Sequence, residues 1–235
     1  MGPRPVGGAV TDAQAGTARP PAGLRAPGTL GVLGGTFDPI HIAHLAVAEE
    51  AREALGLEQV LFIPAGQPPH KSGRAITPGE ERLAMIGLAI AGNPAFAVSR
   101  IELDRAGPSY TVDTLGALRG ARLAAGASPE IVFIVSSEAF AEFGTWRDPR
   151  RVLELATIAV APRDGFPDAT REAVMREFPD QADRIVFLDG PRLRLSASDL
   201  RQRAATGRSL RYLVPDAVAA HIEDHALYRD PRRTP

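Results

Sequence analysis

The sequence predicts an α/β fold, a doubly wound parallel sheet forming one domain behind an N-terminal tail. Two observations carry this expectation. From Thr29 onward short apolar runs alternate with helical patterns, as in a parallel sheet covered by helices on both faces. The stretch is also the size of one domain, and no linker or internal repeat divides it. The runs are Thr29 to Leu33, Gln59 to Ile63, Ala97 to Ile101, Ile131 to Val135, Thr157 to Ala161 and Arg184 to Leu188. An apolar helix follows the first run and reaches Leu55. Thr77, Pro78 and Glu80 spell a capping box with proline at the first helical position, predicting a helix toward Ala91. Ser196 and Asp199 repeat that spacing before a helix that Gly207 ends. In such a sheet ligands bind beyond the carboxyl ends of the strands, so the loops there are where chemistry is sought.

Composition narrows the function. The chain has 27 Lys and Arg against 28 Asp and Glu, which argues against a broad nucleic-acid surface while leaving room for a local cationic crevice. There is no cysteine, so disulfides, thiolate metal sites and thiol nucleophiles are excluded. No apolar run approaches the roughly 18 residues that span a bilayer, and a cytoplasmic protein without a membrane partner is expected. Gly and Pro together make 44 of 235 residues, a high share, and 11 of them fall in residues 1–28. There Gly, Pro and Ala fill 17 of 28 positions, so a disordered tail is expected. The domain is then 29–230, with a short C-terminal tail at 231–235. A homo-oligomer is compatible with the chain, and nothing in it fixes the number of copies.

After the first run comes Gly34-Gly35-Thr36-Phe37-Asp38-Pro39-Ile40-His41-Ile42-Ala43-His44. Glycines allow close backbone approach, and a helix N-terminus behind them offers unpaired N–H groups and a positive dipole end, a combination that favours an anion. The loop has neither the Lys-Ser/Thr ending of a P-loop nor the third glycine of a dinucleotide fingerprint. His41 and His44, three apart, face the same side of the helix. Three readings are open for them: a zinc pair, ordinary helix-end residues, or hydrogen-bond donors to phosphate. The usual helical metal pair is spaced by four, so no residue is assigned to a metal.

GGTFDPIHIAH resembles the signature of the nucleotidylyltransferase superfamily, whose HxGH motif has glycine where this chain has Ala43. In its GGTFDPIH form it is similar to the bacterial nicotinate-nucleotide adenylyltransferases. The resemblance implies a Rossmann-like nucleotidylyltransferase fold and adenylyl transfer from ATP to nicotinate mononucleotide. Further segments agree, in order, over roughly Thr29 to Tyr228. Pro64-Ala65-Gly66-Gln67-Pro68-Pro69-His70-Lys71 resembles the family's PxxxPPHK loop. Two prolines there stiffen a backbone that presents His70 and Lys71 as donors. Ser109-Tyr110-Thr111-Val112-Asp113-Thr114-Leu115 resembles the SYTVDTL segment, which in the family opens a helix against the mononucleotide; read alone, it is also a plain helix start capped by Ser109. Trp146 stands where the family has a tryptophan stacked on the pyridine ring, and read alone is as well placed in the core. Leu195-Ser196-Ala197-Ser198-Asp199-Leu200-Arg201 resembles the family's ISSTxIR motif, a second anion cradle.

One segment departs. Where the family has Gly-x-Asp after the fourth strand, this chain has Ser136-Ser137-Glu138, and Glu138 is carried over as the acceptor near the adenosine. The resemblance thus implies His41, His44 and Arg201 as the catalytic group. It implies an ATP site of Gly34, Gly35, Thr36, Phe37, Glu138, Ser196 and Ser198 with those three, and a mononucleotide site of His70, Lys71, Tyr110, Thr111 and Trp146. Mg²⁺, held mainly by the ATP phosphates, is the expected cofactor. Two alternatives stay open: transfer to another phosphorylated acceptor, of the pantetheine-phosphate or cytidylyl type, and a catalytically silent nucleotide-binding protein.

Overall fold

The computed structural model describes residues 27–67, 76–163 and 176–229. The tail expected over 1–28 lies almost wholly outside them, as do 230–235.

Six strands form one sheet: β1 Leu30–Gly35, β2 Gln59–Pro64, β3 Phe96–Val98, β4 Ile131–Ser136, β5 Thr157–Ala161 and β6 Ile185–Phe187. Their order is β3-β2-β1-β4-β5-β6 and every pairing is parallel. Each of the six runs supplies one strand. The two edge strands are shorter than the runs, because an edge strand has a ladder on one side only. Past Val98 the Ser99 hydroxyl accepts the Ile101 N–H at 3.3 Å and turns the chain away. Conversely β1 continues through both glycines, with Gly34 opposite Ile63 and Gly35 opposite Pro64.

Among the described residues the sheet is covered by α1 Ile42–Leu55, α2 Gly79–Ile90, α3 Thr111–Ala124, α4 Ser137–Ala141, α5 Pro149–Leu155, α6 Ala197–Ala205 and α7 Asp216–Asp224. Strand side chains alternate between two cores, as a period of two demands. On β4, Val132 and Ile134 face the core shared with Ala48 and Ala51 of α1, Met85 of α2, Leu200 of α6 and Val218 of α7. Ile131, Phe133 and Val135 face the other, with Leu115 of α3 and Val152 of α5. Ile134 is 1% exposed, and trimming it to alanine would cost about 2–5 kcal/mol through lost burial and the cavity left behind.

Two helix starts differ from expectation. Thr77 does not cap α2: the helix begins at Gly79 behind Pro78, with no side-chain cap. The Thr77 hydroxyl is engaged with Tyr228 and its carbonyl accepts Arg82 Nε at 2.9 Å, so a tertiary contact takes the group the local pattern reserved for the cap. Likewise Tyr110, not Ser109, is the residue before α3. The α6 start is as expected: Ser196 Oγ accepts the Asp199 N–H at 3.1 Å, and Gly207 adopts φ +72° just past the end. The strand order reverses between β1 and β4, which places the ligand crevice between their carboxyl ends.

Candidate active site

A crevice of 670 Å³ opens at that reversal, walled by the loops after β1 and β4 and by the first turns of α1, α3, α4 and α6. Gly34, Gly35, Thr36, Phe37, His41, His44, Tyr110, Thr111, Glu138, Trp146, Ser196, Ser198 and Arg201 all line it. His70 and Lys71 lie outside the described residues.

The phosphate-loop end is built from the inside. Phe37 holds φ +50°, a left-handed conformation that costs an L-residue about 1–2 kcal/mol. Its buried ring is wedged 5.9 Å from Phe62 and edge-on to His44 at 5.0 Å. A Cβ on Gly35 would stand 3.0 Å from that ring, so Gly35 admits Phe37 as well as any ligand; one on Gly34 would make only an ordinary 3.5 Å contact with Phe133. Phe37 therefore serves the site as the floor under His44.

His41, just before α1, stacks on His44 with ring centroids 3.7 Å apart. The His41 backbone N–H donates to His44 Nδ1 at 3.2 Å, which leaves the proton of a neutral His44 on Nε2. His41 Nδ1 is buried and has no hydrogen-bond partner among the described residues. Burial first, then Arg163, lowers the His41 pKa to about 4; burial, His41 and Arg163 hold His44 well below the usual imidazole range. Both rings are thus neutral at pH 7, at a positive helix end, with a buried nitrogen awaiting a partner. An anion relieves all three conditions.

Arg201 reaches this end from α6. Its guanidinium donates to the Asp38 carbonyl and, at 2.8 Å, to Ser198 Oγ. The buried Asp38 carboxylate in turn accepts from Tyr228 at 2.8 Å, and burial, then Asp38, pushes the Tyr228 pKa upward. The buried Arg82 ties the same loop to α2, donating to the Thr36 carbonyl at 2.9 Å. Asp38, Tyr228 and Arg82 were not legible as site residues.

At the other end Trp146 is half-buried, edge-on to Phe133 at 6.1 Å and to Phe143 at 5.4 Å, which leaves it in the crevice wall. Arg147 lies over the Tyr110 ring, 4.6 Å from its centroid. Beside Thr111, the Ser109 hydroxyl is buried without a hydrogen-bond partner among the described residues. Glu102, which also lines the crevice, accepts from Thr114 at 2.8 Å, and burial raises its pKa. Gly66 is obligatory here: a Cβ would fall 2.2 Å from the Glu102 carbonyl oxygen.

Residues 32–203 match the cytidylyltransferase-like family model. The chain is 50% identical over 200 residues to the probable nicotinate-nucleotide adenylyltransferase of Roseiflexus sp. (strain RS-1), covering 85% of this chain and 98% of that protein. The chain belongs to the nicotinate-nucleotide adenylyltransferase family. Its counterpart in Thermomicrobium roseum is 46% identical, over 85% of this chain and 91% of that one. The fold is shared with Plasmodium falciparum nicotinic acid mononucleotide adenylyltransferase, solved with NaAD, at a TM-score of 0.69 and 15% identity over 85% of this chain and 97% of that one. No helix among the described residues is long and apolar enough to cross a membrane.

Against the adenylyltransferase family pattern, the Ser136-Ser137-Glu138 segment has its own internal logic. Ser136 Oγ caps α4 by accepting the Ala139 N–H at 3.2 Å, and Ser137 Oγ accepts the Arg163 N–H at 3.0 Å. Glu138 forms an ion pair with Arg163. Arg163, two residues past β5, also lines the crevice and faces the histidines electrostatically. Nothing local marked it, since its partner is 25 residues away.

Proposed function

We propose that this chain transfers the adenylyl group of ATP to nicotinate mononucleotide, giving nicotinate adenine dinucleotide and pyrophosphate. One observation supports the reading most: two neutral imidazoles, His41 buried and His44 half-buried, share a crevice with an anchored arginine, an aromatic wall and a second helix start. A polyanion suits one end and an aromatic ring the other.

The reaction needs no protein nucleophile. A 5′-phosphate oxygen of the mononucleotide attacks the α-phosphorus of ATP, a new P–O bond forms, and the bond to the β-phosphate oxygen breaks as pyrophosphate leaves. The protein positions both groups and offsets the charge that develops. His41, His44 and Arg201 are assigned to the triphosphate, with His44 donating through Nε2. Gly34, Gly35, Thr36, Ser196 and Ser198 line that side, and Glu138 remains the acceptor nearest the adenosine. His70, Lys71, Tyr110, Thr111 and Trp146 are assigned to the mononucleotide, Trp146 to its pyridine face. The Ser109 hydroxyl is a donor for its carboxylate.

Mg²⁺ is the divalent ion this chemistry calls for. Of the carboxylates that line the crevice, Asp38, Glu102 and Glu138 are engaged by Tyr228, Thr114 and Arg163, and Glu142 is exposed at the rim, so the ion would be held mainly by phosphate oxygens and water. When bound it supplies charge neutralisation on the triphosphate.

The test is pyrophosphate release from ATP and Mg²⁺ with nicotinate or nicotinamide mononucleotide. Release with the acid and little with the amide is expected. Equal rates reject the preference for the acid, and no release with either rejects adenylyl transfer to a pyridine mononucleotide.

A further inference from the structure

Away from the crevice, Glu81 of α2 meets His221 of α7 and His225, the residue that follows that helix. The two histidines are four apart and so share one face of the helix. Both aim a nitrogen at the same carboxylate oxygen: His221 Nε2 lies 2.8 Å and His225 Nδ1 3.0 Å from Glu81 Oε2. The ligand atoms of all three residues lie within 4.8 Å of one another. In a tetrahedral site with bonds of about 2.0–2.1 Å, neighbouring ligand atoms stand roughly 3.3 Å apart. Each nitrogen thus stands only a few tenths of an ångström closer to the carboxylate oxygen than in such a site, and the two nitrogens lie within 4.8 Å of each other. His221 is 12% exposed, whereas His225 is 47% exposed, so the cluster is walled on one side and open to water on the other.

We propose that Glu81, His221 and His225 form a binding site for a zinc-class divalent cation, completed by water, that fastens α7 to α2. Two imidazoles and a carboxylate suit such an ion better than Mg²⁺ or Ca²⁺, which take oxygen ligands. The site sits next to the scaffold of the phosphate end. Arg82 follows Glu81 and holds the Thr36 carbonyl, while Tyr228, three residues past His225, holds Asp38. A cation here stabilises the fold and takes no part in catalysis.

The experiment uses the full chain without a histidine tag, stripped with chelator and titrated with zinc chloride alone. Heat of binding and the melting temperature are followed for the parent, His225→Ala and Glu81→Gln. The expected result is one zinc per chain and a melting temperature that rises with zinc. In His225→Ala the affinity falls about a hundredfold, with circular dichroism unchanged. His41, His44 and His70 remain in that variant, so zinc binding of parental affinity in it overturns the proposal, as does a parent chain that binds none. Loss of binding in Glu81→Gln with pyrophosphate release intact separates this site from the proposed activity.

Discussion

Two helix starts face the end of the crevice assigned above to the triphosphate, and they would meet an anion differently. At α1 the donors are the buried His41 and the half-buried His44, stacked and held neutral. At α6 the donor is Arg201, charged at every working pH and already tethered to Asp38 and Ser198. The α1 site can gain charge when a phosphate arrives, whereas the α6 site brings charge that the protein has already partly compensated. One cradle responds to its ligand and the other is fixed beforehand.

The largest expected effect is at the responsive cradle. His44→Ala removes a preorganised donor and should lower kcat by about a hundredfold or more, roughly 3–4 kcal/mol, with the fold intact by circular dichroism. Unchanged turnover would break the assignment. Next comes pH. The folded His41 pKa of about 4 lies below its ordinary value of 6.5, so between these values the unfolded chain binds more protons. The stability linked to His41 is complete above the unfolded pKa and is lost as pH falls toward the folded one, a difference of about 3 kcal/mol. Denaturant unfolding across this range should show a flatter profile for His41→Asn than for the parent.

The fixed cradle should resist pH and be sensitive to shape. A lysine at position 201 keeps the charge but cannot serve the Asp38 carbonyl and Ser198 Oγ as a fork does. Arg201→Lys should therefore lower kcat/KM for ATP about tenfold, equally at all pH values where the histidines are neutral. The smallest effect is at Arg163, which joins the cradles to Glu138. That half-exposed pair contributes about 0–1 kcal/mol to stability. Arg163→Ala removes a charge that depresses His41, so the imidazole titration seen by NMR should move upward while the melting temperature hardly changes.

What was legible in the sequence follows from the range of the interactions. The bounds of β5 and the end of α1 were readable because hydrophobic period, Gly56 and neighbouring residues decide them. The cap of α6 was readable for the same reason. The cap of α2 was not, because Tyr228 claims the Thr77 hydroxyl from the far end of the chain. The resemblance located every described crevice residue it named, yet it was silent on what holds them. Asp38, Arg82, Tyr228 and Arg163 act across 25 to 190 residues, a separation that no local pattern encodes. The Glu81, His221 and His225 cluster escaped notice similarly, since its two halves are 140 residues apart.

The hydrogen bond from Tyr228 to Asp38 also sets a schedule. At a translation rate of about 5–20 residues per second, the 190 residues between them take on the order of ten to forty seconds to make. Throughout that interval the growing chain has its glycine loop and histidines but lacks the tyrosine that secures Asp38, the residue against which Arg201 is braced. Nucleotide affinity should therefore appear late in synthesis, when the last helix docks, so a ribosome-bound fragment would not sequester ATP before it can use it.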